Sequence, residues 1–317
     1  MRINRVCMLG GCGFVGSYLT SRLNSCGIKV RIPTRHPQRH REIKAGGEVE
    51  LISLDLFDRQ QLGGAMEGCE AAINLVGILN ENRVGKDFHH IHVELADRVV
   101  EACKTSGITR LLHMSALNAN ESSGPSLYLK TKGEAENRTH TLGKPQLKVT
   151  SFRPSVIFGP GDSFFNRFAG LLASLPGPFP LACPDTRFAP VFVGDVAEAF
   201  VRALANKETW GKHYELCGPE SFTLQELVEY TAVQSGLNKR IIGLGDRASQ
   251  LQARILGKLP GKPFSYDNYL SLQVNSLCSK DGLNELGIFP TSIDSVVPYM
   301  LADKSARRLY QQLRRQI

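Results

Sequence analysis

Up to Arg153, short apolar runs alternate with longer segments in which apolar residues recur every three or four positions. The first apolar runs are RVCMLG at 5–10, KVRIPT at 29–34 and VELISLDL at 49–56. Runs of this length are typical of buried strands, whereas the intervening periodicity is typical of amphipathic helices. Further runs at 71–78, 110–116 and 148–159 continue the pattern. Strands that alternate with helices form a parallel sheet covered on both faces. We therefore predict an α/β fold with a Rossmann-type doubly wound sheet.

After Arg153 the alternation loosens, and proline and glycine accumulate up to residue 190. A further strand and helix follow at 189–206, and the segment from residue 223 onwards is mainly helical in pattern. The chain is long enough for one large α/β unit with a smaller lobe. We predict a Rossmann domain that binds NADP(H), formed by residues 1–153 and 187–216, and a smaller, mainly helical C-terminal lobe for substrate or partner, formed by residues 154–186 and 217–317.

The loop after the first predicted strand, GGCGFVG, contains Gly10, Gly13 and Gly16. It follows a strand and opens a helix, which is the context in which this glycine spacing binds a dinucleotide. Gly10 permits a tight turn, Gly13 lets the backbone approach the pyrophosphate, and Gly16 lets the helix pack on the strand. The helix N-terminus then offers N–H groups to the phosphates. A glycine-rich turn without a ligand is the alternative.

The segment after the second predicted strand, TRHPQRHR at 34–41, lacks the acidic residue that holds the ribose 2′-hydroxyl in an NAD site. It carries Arg35, Arg39 and Arg41 instead, and a guanidinium can donate two hydrogen bonds to one oxyanion. We therefore predict that NADP(H) is preferred over NAD(H), with Arg35 as the main determinant. A solvated basic loop is the alternative. Asp55, after the third strand, either accepts from the adenine amino group or caps the next helix.

The segment SLYLKTKGE at 126–134 places Tyr128 and Lys132 four residues apart, on one face of a predicted helix. A phenol with a pKa near 10 is a poor acid–base group at neutral pH until a nearby cation favours the phenolate. Ser115 follows the fifth strand, from where it can face this helix. The three residues are candidate catalytic groups. Tyr128 and Lys132 also suit a protein that binds the cofactor without turnover.

Several motifs of the chain together resemble the extended and atypical short-chain dehydrogenase/reductase superfamily, which is similar to the NAD-dependent epimerases and dehydratases. These motifs are the glycine loop, INLVG at 73–77, Ser115, the Tyr128/Lys132 pair and RPSVIFGPGD at 153–162. More narrowly, INLVGILNE, HMSALNA, YLKTKGEAE, YELCGPE and DNYLSLQ resemble bacterial relatives of the NADPH-binding accessory subunit of respiratory complex I.

The resemblance implies roles for the candidate catalytic groups. Lys132 would hydrogen-bond the nicotinamide ribose and lower the pKa of Tyr128, which would exchange a proton with the substrate. Ser115 would polarise the substrate carbonyl while hydride passes to or from the nicotinamide. Further cofactor contacts are implied for Phe14, Val15, Asp55, Leu56, Val76 and Gly77. In the complex I subunit, the resemblance implies an NADPH that is held for structure.

Two positions depart from the superfamily pattern. A threonine that is common before the glycine loop is replaced by Leu9. Many extended members have an asparagine after the fourth strand that holds a proton-relay water, and the matching residue here is His92. Imidazole titrates near neutrality, so His92 either relays protons itself or is packed in its helix.

Three functions are compatible with these residues. The first is an oxidoreductase that uses NADP(H) on a small or lipid-like substrate, such as a quinone-related one. The second is a non-catalytic NADPH-bearing scaffold or assembly factor linked to complex I or quinone biosynthesis. The third is a regulator that senses the cofactor's redox state. The complete Ser115/Tyr128/Lys132 set favours the first, and the sequence indicates neither the substrate nor the oligomeric state.

The net charge of +8 is concentrated in basic clusters at 34–41 and 304–317. The second cluster is either a solubilising helix end or a contact with anionic lipid or an acidic partner such as a respiratory complex. No zinc-finger, RNP-type or helix-turn-helix pattern is present, so no nucleic-acid partner is predicted. No signal peptide is evident. We expect a cytoplasmic protein, with peripheral contact at the inner face of the membrane as a further hypothesis.

Two other features of the composition bear on function. None of the eight cysteines forms a CxxC pair, so reduced thiols and no metal site are expected. The apolar segment FFNRFAGLLASLPGPFPLACP at 164–184 contains four prolines, which argue against a membrane-spanning helix. This segment is a lid over an apolar substrate, a docking patch, or part of the core of the C-terminal lobe.

Overall fold

The computed structural model describes residues 3–81 and 87–302, so the predicted basic contact at 304–317 lies outside the described residues. The chain divides into two compact units. The first consists of the described parts of Met1–Pro154, with Gly194–Leu216 and Ser279–Phe289; the second consists of Ser155–Val193, Cys217–Cys278 and the described part of Pro290–Ile317. Within the described residues, no helix is long and apolar enough to cross a membrane.

Strands and helices alternate from the start of the first unit, and shorter elements follow in the second. The strands are β1 Arg5–Leu9, β2 Lys29–Thr34, β3 Val49–Ser53, β4 Ala71–Asn74, β5 Arg110–Met114, β6 Lys148–Pro154, β7 Ile157–Phe158, β8 Phe179–Leu181, β9 Arg187–Phe188, β10 Val191–Phe192, β11 His213–Leu216, β12 Phe222–Thr223 and β13 Ile241–Gly243. The α-helices are α1 Phe14–Ser25, α2 Arg59–Met66, α3 Leu95–Thr105, α4 Leu127–Gly143, α5 Phe165–Ser174, α6 Val193–Ala205, α7 Leu224–Gln234, α8 Asp246–Leu256, α9 Tyr266–Ser271 and α10 Gly282–Glu285. A π-helical turn covers His89–Glu94, and 3₁₀ segments cover Pro37–Gly46, Lys207–Thr209 and Ile293–Ser295.

Seven strands of the first unit form one sheet in the order β11-β6-β5-β4-β1-β2-β3. Every neighbouring pair is parallel. This sheet confirms the predicted Rossmann-type fold. The strand order reverses beside β1, which pairs with both β2 and β4. In such sheets, ligands bind outside the carboxyl ends of the strands at the reversal point.

The central strands are buried because both faces of the sheet are covered. Every residue of β4 and β5 is buried, as are four of the five residues of β1. On one face, Leu9, Leu62 and Val99 belong to a core cluster that joins β1 to α2 and α3. Near-continuous apolar runs such as RVCML are therefore required, since neither face of these strands reaches water.

The second unit is mixed rather than only helical. Its strands form three two-stranded ladders, β7 with β10, β9 with β12 and β8 with β13. The sequence pattern missed these ladders because each strand has only two or three residues. Helix α5 lies within the predicted apolar segment at 164–184. Its Phe165 and Leu172 are fully buried in a cluster with Leu227 and Val228 of α7. The structure thus favours the core interpretation of this segment.

The expectation that all eight cysteines are reduced is wrong for two of them. Cys217 and Cys278 form a disulfide, with their Cα atoms 6.0 Å apart. They are separated by 61 residues in sequence, so no local spacing indicates the pair. The fold brings Cys217 next to Cys278, and only this tertiary arrangement makes the bond possible.

Candidate functional site

The glycine loop joins β1 directly to α1. Strand β1 ends at Leu9, and Gly10 follows it directly. Gly10 has φ +78°, a left-handed conformation that favours glycine. A Cβ at Gly16 would lie 2.5 Å from the Cα atom of Gly11, so the helix packs on the loop backbone as predicted. Gly13 is the N-cap of α1, and Phe14 and Val15 open the helix. Their first-turn N–H groups lie at the positive end of the helix dipole, where a pyrophosphate binds.

The basic segment follows β2 as predicted. Arg35, Arg39 and Arg41 are all exposed. Within residues 3–81 and 87–302, none of the three guanidinium groups takes part in an ion pair. This segment therefore offers cations that no described carboxylate neutralises. It lies at the carboxyl end of β2, the strand next to β1.

The structure corrects one of the two interpretations of Asp55. Helix α2 is capped by Asp58, whose side chain accepts a hydrogen bond from the N–H of Gln61. Asp55 instead accepts from the N–H of Phe57 at 3.0 Å. A cap at Asp55 would need a helix that begins at Leu56, but α2 begins at Arg59. Asp55 is therefore not a helix cap. Its contact with the adenine stays a prediction.

Leu56 and Val76 line the same edge of the sheet. Both are partly buried and pack against the core cluster that contains Leu9 and Val99. Val76 is held in place because its N–H donates to the side-chain oxygen of Asn74 at 3.1 Å. The cofactor contacts of these two apolar side chains stay a prediction.

Lys132 is held at the centre of the candidate site. Its side chain is buried, and Nζ donates to the carbonyl oxygen of Met114 at 2.6 Å. Burial lowers the pKa of Lys132 to about 8, against the raising effect of the Glu136 carboxylate. A Cβ built at Gly77 would lie 3.6 Å from Lys132 Nζ. The loop after β4, the end of β5 and helix α4 therefore meet at this ammonium group.

Tyr128 lies in the first turn of α4, one turn before Lys132. Ser126 caps this helix, and its hydroxyl accepts from the N–H of Leu129 at 3.1 Å. The half-buried Tyr128 ring stands edge-on to His92, with ring centres 5.6 Å apart.

Ser115 follows β5 directly and is buried. Its N–H donates to the carbonyl oxygen of Phe152 at 2.8 Å, which fixes the backbone. Within the part of the chain that the structure describes, its Oγ has no hydrogen-bond partner. A buried hydroxyl without a partner is costly, so this position at the carboxyl edge of the sheet is a candidate ligand contact.

His92 links the loop after β4 to α4. Nε2 accepts from the N–H of Ile78 at 3.1 Å, so the ring proton is on Nδ1, which donates to Thr131 Oγ1 at 2.9 Å. The Thr131 hydroxyl in turn donates to the carbonyl oxygen of Leu127 at 2.8 Å. Burial, with repulsion from Lys132, lowers the pKa of His92 to about 2.

His92 is therefore neutral across the physiological range, and both of its ring nitrogens are occupied. The structure favours the packed interpretation over the proton relay. His92 lies in the π-helical turn His89–Glu94, which leads directly into α3. Sequence analysis missed Thr131, because a threonine between Tyr128 and Lys132 in sequence gives no signal of its own.

The residues present fit a dinucleotide. The glycine loop offers backbone N–H groups, Ser115 offers an unpaired hydroxyl, and Lys132 offers a buried ammonium, all at the carboxyl edge of one sheet. The family described as NAD dependent epimerase/dehydratase matches residues 6–217, which cover all seven strands of this sheet apart from Arg5, the first residue of β1. The chain belongs to the NAD-dependent epimerase/dehydratase family. Membership in this family implies an NAD(P) cofactor.

Relatives within and around this family differ in their activities. Over 295 residues the chain is 29% identical to NADH dehydrogenase (ubiquinone) 1 alpha subcomplex subunit 9, mitochondrial, of Rattus norvegicus, covering 90% of this chain and 77% of the relative. This confirms the predicted resemblance as a distant homology. The chain is also 27% identical over 258 residues to the (4-alkanoyl-5-oxo-2,5-dihydrofuran-3-yl)methyl phosphate reductase of Streptomyces griseus, covering 80% and 82% of the two chains.

A solved structure shares the fold of the whole chain. The NADPH-dependent quinone oxidoreductase of Escherichia coli, complexed with NADPH, has a TM-score of 0.73 and is 19% identical. The match covers 93% of this chain and 99% of the other. At this identity the likeness concerns the fold.

Proposed function

We propose that the protein is an NADP(H)-dependent reductase in which Tyr128, Lys132 and Ser115 act on the carbonyl group of a small or lipid-like substrate, such as a quinone-related one. The unpaired buried hydroxyl of Ser115 carries this proposal. It lies one residue after Met114, whose carbonyl oxygen holds Lys132. The hydroxyls of Thr20 and Ser235 are also buried and unpaired among the described residues, so Ser115 is distinguished by its place at the carboxyl edge of the sheet, next to the residue that holds Lys132.

Each residue has a distinct chemical task in this proposal. Bound NADPH supplies the hydride. The Ser115 hydroxyl donates to the substrate oxygen, where negative charge develops. Tyr128 delivers a proton to the same oxygen, and the Lys132 ammonium stabilises the resulting phenolate. His92 does not take part in proton transfer, because its ring is neutral and hydrogen-bonded on both sides.

The phosphate chemistry supports NADP(H) over NAD(H). Arg35 follows β2, where an NAD site has an acidic residue, and its exposed guanidinium has no ion-pair partner among the described residues. A 2′-phosphate would provide the oxyanion that this fork can bind in two places.

Replacement of Arg35 tests this preference. We expect Arg35→Ala to weaken NADPH binding by about tenfold to a hundredfold, because it removes hydrogen bonds to a charged group. NADH affinity should stay unchanged, since NADH has no 2′-phosphate. Arg39→Ala, which removes the same charge from the same segment, is the matched control and should have the smaller effect. Equal affinity ratios of NADPH to NADH in the wild type and Arg35→Ala would exclude this assignment.

The release rate of NADPH tests the proposed function without a known substrate. Stopped-flow fluorescence with excess NADP⁺ as the competitor measures it directly. A reductase must release its cofactor about as fast as it turns over, typically about 1 to 10³ s⁻¹. We expect release on that timescale. Release over minutes or hours would contradict a freely exchanging cofactor and favour a structural NADPH.

A structural NADPH is the second candidate function, in a scaffold or assembly factor linked to respiratory complex I. Two observations favour it: the distant homology to the NADH dehydrogenase (ubiquinone) subunit, and the neutral His92 at the position where many extended members carry a proton-relay asparagine. Slow release of NADPH by the wild type would support this candidate, because a structural cofactor does not have to exchange at a catalytic rate.

A further inference from the structure

Helix α8 of the second unit presents an apolar stripe to solvent. Its inner face is fully buried at Ser249 and Ala253. On the opposite face, Leu251 is 56% exposed and Ile255 is 55% exposed, and Leu259, in the turn after the helix, is 46% exposed. Leu251 and Ile255 are four residues apart on the helix, so they lie on one side of it, and Leu259 follows just after its end. The stripe is thus the outward face of a helix that is anchored by its other face.

Basic side chains flank the stripe on the same face. Arg247 and Arg254 lie four residues before and three residues after Leu251, and Lys258 follows one turn later; all three are exposed. The guanidinium of Arg254 lies over the ring of Tyr266, 5.5 Å from its centre. Long basic side chains beside aliphatic ones allow charged ends to extend sideways while the apolar residues point outward.

The acidic residue of α8 is turned away from this face. Asp246 accepts a hydrogen bond from the Tyr269 hydroxyl at 2.6 Å, which ties it to α9. The outer face therefore combines positive charge with aliphatic side chains and has no carboxylate of its own helix. Its chemistry is complementary to a surface that is both anionic and apolar.

We propose that the outer face of α8 and the turn after it, formed by Arg247, Leu251, Arg254, Ile255, Lys258 and Leu259, docks on an anionic lipid surface. The aliphatic residues would enter the boundary between headgroups and acyl chains, and the cations would contact lipid phosphates. A protein partner is disfavoured, because a stable protein interface buries about 800 Å² per partner around a packed centre. Three aliphatic residues in one stripe provide neither that area nor a packed centre. The inference does not depend on the cofactor chemistry.

Vesicle flotation of the full chain tests the proposal. The probes are vesicles of phosphatidylcholine mixed with phosphatidylglycerol, and vesicles of phosphatidylcholine alone. We expect binding to the mixed vesicles that weakens with added salt and is absent on phosphatidylcholine alone. Two double variants, L251S/I255S and R247Q/K258Q, should each lower the partition coefficient by about tenfold or more. For the second, the estimate follows from about 1 kcal/mol for each charge near the surface.

Matched variants separate this face from the rest of the chain. Val233→Ser removes another exposed apolar residue of the second unit, and Lys104→Gln/Lys212→Gln removes two exposed charges of the first. Both controls should bind mixed vesicles like the wild type. An unchanged NADPH affinity and melting temperature would show that the α8 variants are folded. Failure of the intact chain to bind, or binding by the α8 variants equal to that of the controls, would overturn the proposal.

Discussion

Gly16→Ala is expected to weaken NADPH binding by a factor on the order of a hundred. The added Cβ would lie 2.5 Å from both the Cα and the carbonyl oxygen of Gly11, and 2.6 Å from the carbonyl oxygen of Gly10. These are backbone atoms, so α1 must move away from the glycine loop, whose N–H groups are predicted to contact the pyrophosphate. Overpacking of this kind costs about 1–3 kcal/mol, and here the distortion falls on the binding loop itself.

Gly63→Ala is the matched control for this prediction. Gly63 lies inside α2, and a Cβ there would meet nothing within 4 Å. Alanine in a helix interior is favoured over glycine by about 0.5–1 kcal/mol, so this variant should be slightly more stable and bind NADPH normally. Fluorescence titration with NADPH gives both affinities. Wild-type affinity in a folded Gly16→Ala variant would contradict the proposed role of the glycine loop.

Arg110→Ala should destabilise the protein by more than about 2 kcal/mol, because each buried acceptor left without a donor costs about 1–3 kcal/mol. Arg110 is 2% exposed, and burial lowers its pKa to about 10. Its guanidinium donates to the carbonyl oxygens of Lys148, Ala203 and Leu204 and to the hydroxyl oxygens of Thr150 and Thr209. Truncation would leave several of these buried acceptors without a donor.

Urea unfolding of two further variants isolates the cause of this loss. Arg110→Lys keeps the charge but lacks the planar fork, so its stability should lie between those of the wild type and Arg110→Ala. Arg59→Ala removes an exposed arginine that lies 3.6 Å from Glu101, and should change the free energy of unfolding by less than about 1 kcal/mol. If Arg110→Ala were no less stable than Arg59→Ala, the buried hydrogen-bond network would not matter for folding.

Arg110 also shows where interpretation from the sequence alone fails. An arginine at the start of RLLHM reads as the exposed end of a strand. In the structure it is buried because the last turn of α6 and the segment around Thr209 close over it, and their carbonyl groups need a donor. Cations are favourable at the C-terminal end of a helix, so the charge is tolerated there. The residues that supply these acceptors lie more than 90 positions away in sequence.

In the candidate site, too, some features follow from the sequence and others only from the fold. The strand–loop–helix around Gly10 and the Tyr128/Lys132 face of α4 were predictable, because they depend on spacing within one or two adjacent elements. The partners of these residues were not. The carbonyl oxygen of Met114, the hydrogen bond between His92 and Thr131, and the neutral state of His92 all depend on burial at a junction of three elements.

The sequence by itself determined the parallel α/β sheet, the position of the dinucleotide loop and the helix that carries Tyr128, since apolar periodicity and glycine spacing act over short distances along the chain. The tertiary structure decided which polar groups are buried together: the Cys217–Cys278 disulfide, the Arg110 network, the unpaired Ser115 hydroxyl and the outward stripe of α8. Burial depends on every element that packs nearby, so it is a property of the whole fold and leaves no local pattern in the sequence.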